Sequence, residues 1–227
     1  MRPRPFSLLL GALVLTASAA PASAAVRVTV RVEGADHTLV PKTRVTLPET
    51  PVVKDGDPAH ACVPATAAGA LEAAAKGDWQ GTWTSPLGYV ADAIGGEAPA
   101  PAGASFALWV GSRKVKTTLC ATPVESGDSV LLFVNPAGRT VTPLEIRVPD
   151  SARRRRAFTV TVYDHSTTGR ATREAKASVY ANGAKVGVTD KKGRLKVRGT
   201  KVGKVSFYAA KDTKARSSLA VTRIRKR

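Results

Sequence analysis

The sequence predicts an α+β protein of two modules, with one helix among strands in the first half and strands alone in the second. Three observations carry this. Residues 26–150 hold 11 Lys+Arg against 13 Asp+Glu, whereas residues 151–227 hold 22 against 4, so one chain carries two surfaces of different character. A single Ala-rich stretch, TAAGALEAAAK at residues 66–76, has helix-forming composition. The remaining apolar runs are short and bounded by Gly, Pro and Asn turn signals, the pattern of strands.

Ahead of both modules stands a leader. Arg2 and Arg4 precede an apolar run at residues 6–15, and Ala22-Ser23-Ala24 follows as a small-residue cleavage site, the layout of a secretory signal peptide over residues 1–24. The mature chain is expected to begin at Ala25, or near Ala20 if Ala17-Ser18-Ala19 is cut instead. The apolar run is far shorter than the ~20 residues of a membrane span, and no Cys adjoins the cleavage site to take a lipid. A secreted, extracellular protein follows, with association to the cell wall as an extension of that expectation. Its only cysteines, Cys62 and Cys120, are expected to form one disulfide outside the cytoplasm.

Residues 25–150 form the expected first module. VRVTVRV at residues 26–32 alternates Val with Arg and Thr, a strand with one buried face. Pro41 breaks the chain before a second strand at residues 43–47, and residues 50–64 are loop, with Pro51, Gly56, Pro58 and Pro64 as breakers. The helix comes next, closed by Gly77 as a left-handed cap. Residues 77–89 (GDWQGTWTSPLGY) hold two of the three tryptophans, before a short helical or strand-like piece at 90–94 and a Pro/Ala/Gly loop at 95–103. FALWV at 106–110, residues 114–118 and SVLLFV at 129–134 complete the module as three strands of a meander.

Residues 151–156 contain Arg153-Arg154-Arg155-Arg156, a like-charge run that reads as a solvated linker. In the second module, residues 157–227, strand candidates lie at 158–163, 177–181, 185–188, 194–197, 204–209 and 218–224. Asn182-Gly183 and Asp190-Lys191-Lys192-Gly193 supply turns between them. Short strands at this spacing, with no helix between, argue for a β-sandwich.

Two segments resemble known families. The run FALWVGSRKVKTTLCATPVESGDSVLLFV, residues 106–134, resembles the closing hairpin of transcobalamin-like C-terminal domains, bacterial modules of unknown function related to the soluble-ligand-binding β-grasp group. Trp109, Gly127 and Asp128 match that pattern, the segment with Trp79, Trp83 and Tyr89 is similar to exported members, and Gly111-Ser112 departs from the usual Asn-Gly turn. The resemblance covers roughly residues 26–134 and implies a β-grasp fold, a sheet wrapping one helix, that holds a ligand or partner without chemistry. Transcobalamin encloses cobalamin between such a domain and a helical barrel; this chain has no barrel, so cobalamin is not expected. KASVYANGAKVGVTDKKGRLKV, residues 176–197, resembles immunoglobulin-like and carboxypeptidase-regulatory-like modules, with Thr189, Asp190, Gly193 and Arg194 in their T-D-x-x-G-[RK] turn. Such modules serve as spacers or adhesive domains.

Catalytic signatures are weak. Asp55, Asp57, His60 and Cys62 fit neither calcium-loop nor zinc spacing. Asp164-His165-Ser166 has triad residue types, but strand neighbours point in different directions. His37 stands alone. No enzyme, cofactor or metal is expected. Trp79, Trp83, Tyr89 and Trp109 support two readings that stand side by side, a core and a wall that stacks a planar ligand. Arg194, Lys196 and Arg198 alternate with Leu195 and Val197, which sets three cations on one strand face, with Lys201, Lys204 and Lys211 close in sequence. The expected partner is an anionic cell-wall polymer or membrane surface, against a solvated face without a partner. Sequence-specific nucleic-acid binding lacks a motif. The expected function is non-enzymatic ligand or partner binding at a bacterial surface; the alternative is a structural or adhesive protein without a small ligand.

Overall fold

A computed structural model describes residues 25–226; residues 1–24, where a signal peptide is expected, and Arg227 lie outside the described residues. The first unit comprises β1 (Arg27–Glu33), β2 (Thr38–Thr46), a 3-10 turn (Pro58–His60), α1 (Ala67–Ala75), β3 (Trp79–Thr84), β4 (Gly88–Ile94), β5 (Ser105–Val110), β6 (Arg113–Lys114) and β7 (Ser129–Asn135). The second comprises β8 (Thr142–Arg147), β9 (Ser151–Arg153), β10 (Ala157–His165), β11 (Ala171–Arg173), β12 (Ser178–Ala181), β13 (Ala184–Val188), β14 (Arg194–Arg198), β15 (Gly203–Ala210), β16 (Lys214–Ala215) and β17 (Ala220–Arg225).

This corrects the expected fold class from α+β to all-β. Among the described residues α1 is the one α-helix, nine residues against seventeen strands. Helix-forming composition occurs once, and it yields a plug on a sheet rather than a layer. Ala67, Ala68, Ala70 and Leu71 are buried, and their mostly small side chains let α1 lie on β1 and β2. The helix ends one residue earlier than expected, because Lys76 itself takes the left-handed turn at φ 55° while the Gly77 N–H donates to the Glu72 carbonyl at 3.0 Å.

The first sheet runs β2-β1-β7-β5-β6, with β1 and β7 parallel and the other pairs antiparallel. The expected meander does not form, because β7 inserts between β1 and β5 and β6 is only a two-residue edge. Nor does Pro41 break β2. It lies on the edge strand where the register slips between the pairs Val30–Thr43 and Val32–Val40, a position that does not require its missing N–H.

Both faces of this sheet are covered. Val28, Val30, Val32, Leu108, Val130 and Leu132 pack toward α1 and the β3–β4 hairpin. Ala107, Trp109, Leu131 and Phe133 point the other way and pack with Val141 and Ala215 of the second unit. Two-sided burial explains why FALWV and SVLLFV are continuous apolar runs. The polar face of β1 is buried at its C-terminal end too. Arg31 Nη1 lies 2.9 Å from Glu33 Oε1 and donates to the Arg216 carbonyl at 2.9 Å; Arg216 Nε donates to Glu33 Oε2 at 3.1 Å. Burial lowers the Arg31 pKa from its usual value, and adjacent Glu33 opposes that shift.

The second unit is a β-sandwich. One sheet runs β11-β10-β8-β16, with β14 also paired to β10; the other runs β13-β12-β15-β17-β9. Leu144, Ile146, Val160 and Val162 of the first meet Val179, Phe207 and Ala209 of the second. The predicted turns form: Asn182 and Gly183 have φ 49° and 84°, and Asp190 Oδ1 accepts the Lys192 and Arg194 N–H groups at 2.8 and 2.9 Å. Two expectations about the boundary change. The sandwich already begins with β8, and Ser151–Arg153, read as linker, is a strand parallel to β17. Arg153 points to solvent while its backbone sits in a ladder, and exposed Arg154, Arg155 and Arg156 form the turn that follows, so the charge run reported surface rather than the absence of structure.

Candidate functional site

The β3–β4 hairpin pairs Trp79 with Ile94 and Trp83 with Tyr89, which brings three of the four predicted rings together. Trp79 and Tyr89 pack edge to face at 6.1 Å, as do Trp83 and Tyr89 at 5.1 Å. Trp79 is buried; its Nε1–H donates to Glu72 Oε2 at 2.6 Å, and Lys54 Nζ lies 4.9 Å from its ring and 3.2 Å from the same carboxylate. Tyr89 is fully buried and donates to Asp55 Oδ1 at 2.8 Å. Half-buried Trp83 is covered on one side by His60, stacked at 4.4 Å and 13°. Trp109 does not join them. It lies on the opposite side of the sheet, fully buried beside Phe133 at 6.1 Å. Three of the four rings are thus core, and no open wall contains all four.

The acidic loop reaches this cluster, an association that nothing in the sequence spacing indicated. Asp55 Oδ2 lies 2.6 Å from His60 Nδ1, Asp57 caps the 3-10 turn through the Ala59 N–H at 2.9 Å, and Cys62 is bonded to Cys120. The predicted disulfide is therefore present. His60, followed by smaller contributions from Tyr89 and the Asp57 backbone, holds the Asp55 carboxyl down at about 2, against an ordinary 3.8. A lowered folded-state pKa gives stability that is present above pH 3.8 and is lost as pH falls toward 2. We expect thermal melting of Asp55→Asn to be lower than wild type at pH 6, with the gap closing between pH 4 and 2. A gap that does not change with pH would refute the assignment.

The triad residue types do not converge. Asp164 pairs with Lys214 at 2.8 Å and accepts from Thr142 at 2.5 Å, His165 Nε2 lies 2.8 Å from Glu145 Oε2, and Ser166 meets Thr168. His37 is exposed, 3.5 Å from Glu97. Among the described residues no group of three or more His, Cys, Asp and Glu side chains is placed to hold a metal ion.

The basic residues form a clearer surface. On β14, Arg194, Lys196 and Arg198 are exposed and stand opposite Thr161, Thr159 and Ala157 of β10, while Leu195 and Val197 turn inward. None of the three has a carboxylate within ion-pair distance among the described residues. Lys201 and Lys204 are exposed as well, Lys204 facing Arg223 across the β15–β17 pair. Lys211 differs from them: its ammonium is tied to Glu174 and to the Ala175 carbonyl, so it braces the sandwich.

No family model matches the chain, and no match is found among curated proteins. A solved structure of the fibronectin(III)-like modules of CbhA from Clostridium thermocellum is 10% identical over 61% of this chain and 84% of that chain, with a TM-score of 0.29. At that score the likeness adds nothing to the fold described above.

Proposed function

We propose that this is an exported, non-enzymatic surface protein whose second unit associates with anionic polymer or membrane at the cell surface. The observation that carries this is the outer face of β14, where Arg194, Lys196 and Arg198 are exposed and unpaired within residues 151–227, which hold 22 basic against 4 acidic residues. Three of those four carboxylates are occupied: Asp164 by Lys214, Glu174 by Lys211, and Asp190 by the backbone of its own turn. The burial of Trp79, Tyr89 and Trp109 favours a structural role for the first unit over a small-molecule site. Its kinship with transcobalamin-like C-terminal domains belongs to the proposal, supported by the parallel β1–β7 pair, the helix against one face and the Trp109 strand. An immunoglobulin-like identity for the sandwich is likewise proposed, supported by the turn at Asp190.

The test is binding of the whole mature chain to anionic polymers and vesicles across a salt series. Retention should fall steeply as the Debye length shrinks from about 8 Å at physiological ionic strength to about 3 Å at 1 M. Changing Arg194, Lys196 and Arg198 together to Ser should lower the slope of log K against log salt by about 2. Retention that ignores salt would overturn the reading.

A further inference from the structure

We propose that the partner is a phosphodiester chain, gripped at the end of the sandwich where the turn at residues 153–156 meets the ends of β14 and β17. This rests on the polyanion reading above and narrows it to one ligand chemistry and one place. The turn is tied to both sheets. The Arg154 N–H donates to the Arg225 carbonyl of β17 at 2.9 Å, the Arg155 N–H to the Gly199 carbonyl just past β14 at 2.7 Å, and the Arg156 N–H to the Arg153 carbonyl at 3.1 Å. Cations separated by 70 residues in sequence are thereby fixed to one rigid end.

The local structure carries costs here that a merely solvated face would not need. Arg153 stands directly beside Arg225 on paired strands, and Lys204 beside Arg223, juxtapositions of like charge that destabilise a sheet. Arg155 sits at φ 62°, in the left-handed region that suits Gly or Asn and disfavours a residue carrying a longer side chain. No carboxylate lies within ion-pair distance of Arg153, Arg154, Arg155, Arg156, Arg198 or Arg225 among the described residues, and all six are exposed.

Chemistry and shape then select the occupant. The cluster is almost entirely arginine, whose planar fork grips two oxygens of one phosphate, whereas a lysine offers only a point charge. The cations continue along β14 at intervals of about 7 Å, two strand residues apart. They also pass around the edge, because Arg198 lies on the outer face of one sheet and Arg223 and Arg225 on that of the other. A flexible chain can follow such a convex path; a flat bilayer meets one face at a time.

The decisive experiment compares the mature protein with three variants, using poly(glycerol phosphate), polyglutamate of matched charge, and vesicles of equal parts phosphatidylglycerol and phosphatidylcholine. The variants are R153Q/R154Q/R155G/R156Q, in which Gly keeps the left-handed turn, the corresponding four-lysine variant, and the β14 triple-Ser variant. Wild type should prefer the phosphodiester chain to polyglutamate severalfold. The Gln/Gly variant should melt like wild type yet lose about 3 units of salt slope on the phosphodiester chain. The lysine variant should keep the slope and lose the preference. Unchanged binding by the Gln/Gly variant, with all loss in the β14 variant, overturns this site while the polyanion reading survives. Binding to vesicles but not to the chain overturns the phosphodiester assignment, and wild type that binds no probe overturns the reading beneath it.

Discussion

Replacing Cys62 and Cys120 together by alanine should lower the melting temperature by about 10 °C. The bridge spans 58 residues, and closing a loop of that length contributes about 4 kcal/mol through the unfolded chain. In a chain of this size 1 kcal/mol moves the melting temperature by about 2–4 °C. The loop so closed contains α1, β3, β4, β5 and β6, and the bridge lies against the hairpin: Cys120 Sγ accepts the Tyr89 N–H at 3.2 Å. Gly88 makes that approach feasible. Its φ is 99°, and a Cβ there would meet Cys120 Cβ at 2.6 Å. Because Trp109 and Phe133 pack with Val141 and Ala215 across the junction, the loss should appear as one transition shifted as a whole. Two calorimetric transitions, only one moved by the substitution, would show that the units do not couple.

Glu33→Ala should cost about 3–5 kcal/mol, the usual penalty for removing one partner from a buried ionic group. Glu33 is 2% exposed and faces two guanidinium groups, so its loss leaves Arg31, itself 9% exposed, without a counter-charge. Truncating all three, as Arg31→Met, Glu33→Leu and Arg216→Met, should restore most of that loss, because well-packed apolar groups remove the desolvation penalty together with the pairing. Urea denaturation of the single and triple variants measures both. A triple variant as unstable as Glu33→Ala would mean that the ions hold the junction by a geometry apolar contacts do not reproduce.

The features that were legible in the sequence are those with a local cause. Alternation placed the valines of β1 in the core, Ala content placed α1, Asn182-Gly183 placed a hairpin, and two lone cysteines placed the bridge. What escaped has a tertiary cause. Nothing in VRVTVRV tells that Arg31 and Glu33 meet Arg216, 183 residues beyond Glu33. Trp109 looks like Trp79 in sequence, yet neighbours on β5 face opposite sides, and only the second unit makes its side an interior. The unbroken apolar character of SVLLFV carried that information. A strand that needed one buried face would have alternated. Likewise the four arginines fixed what points outward and left open whether their backbone was paired, while the placement of His60 on Trp83 depends on a loop path that residue types do not encode.

The position of β1 and β17 in their sheets also governs how the molecule bears load. Both are interior strands, β1 flanked by β2 and β7, and β17 by β15 and β9, each with one parallel neighbour. Tension applied along them pulls parallel to the strands, so the hydrogen bonds of a ladder are strained in shear, all at once, instead of being peeled off singly from an edge. A chain pulled through its basic end would pass force from β17 through the sandwich to the junction with the first sheet. On the far side of that sheet, against the β3–β4 hairpin, the disulfide sets a covalent limit on how far the loop between residues 62 and 120 can extend.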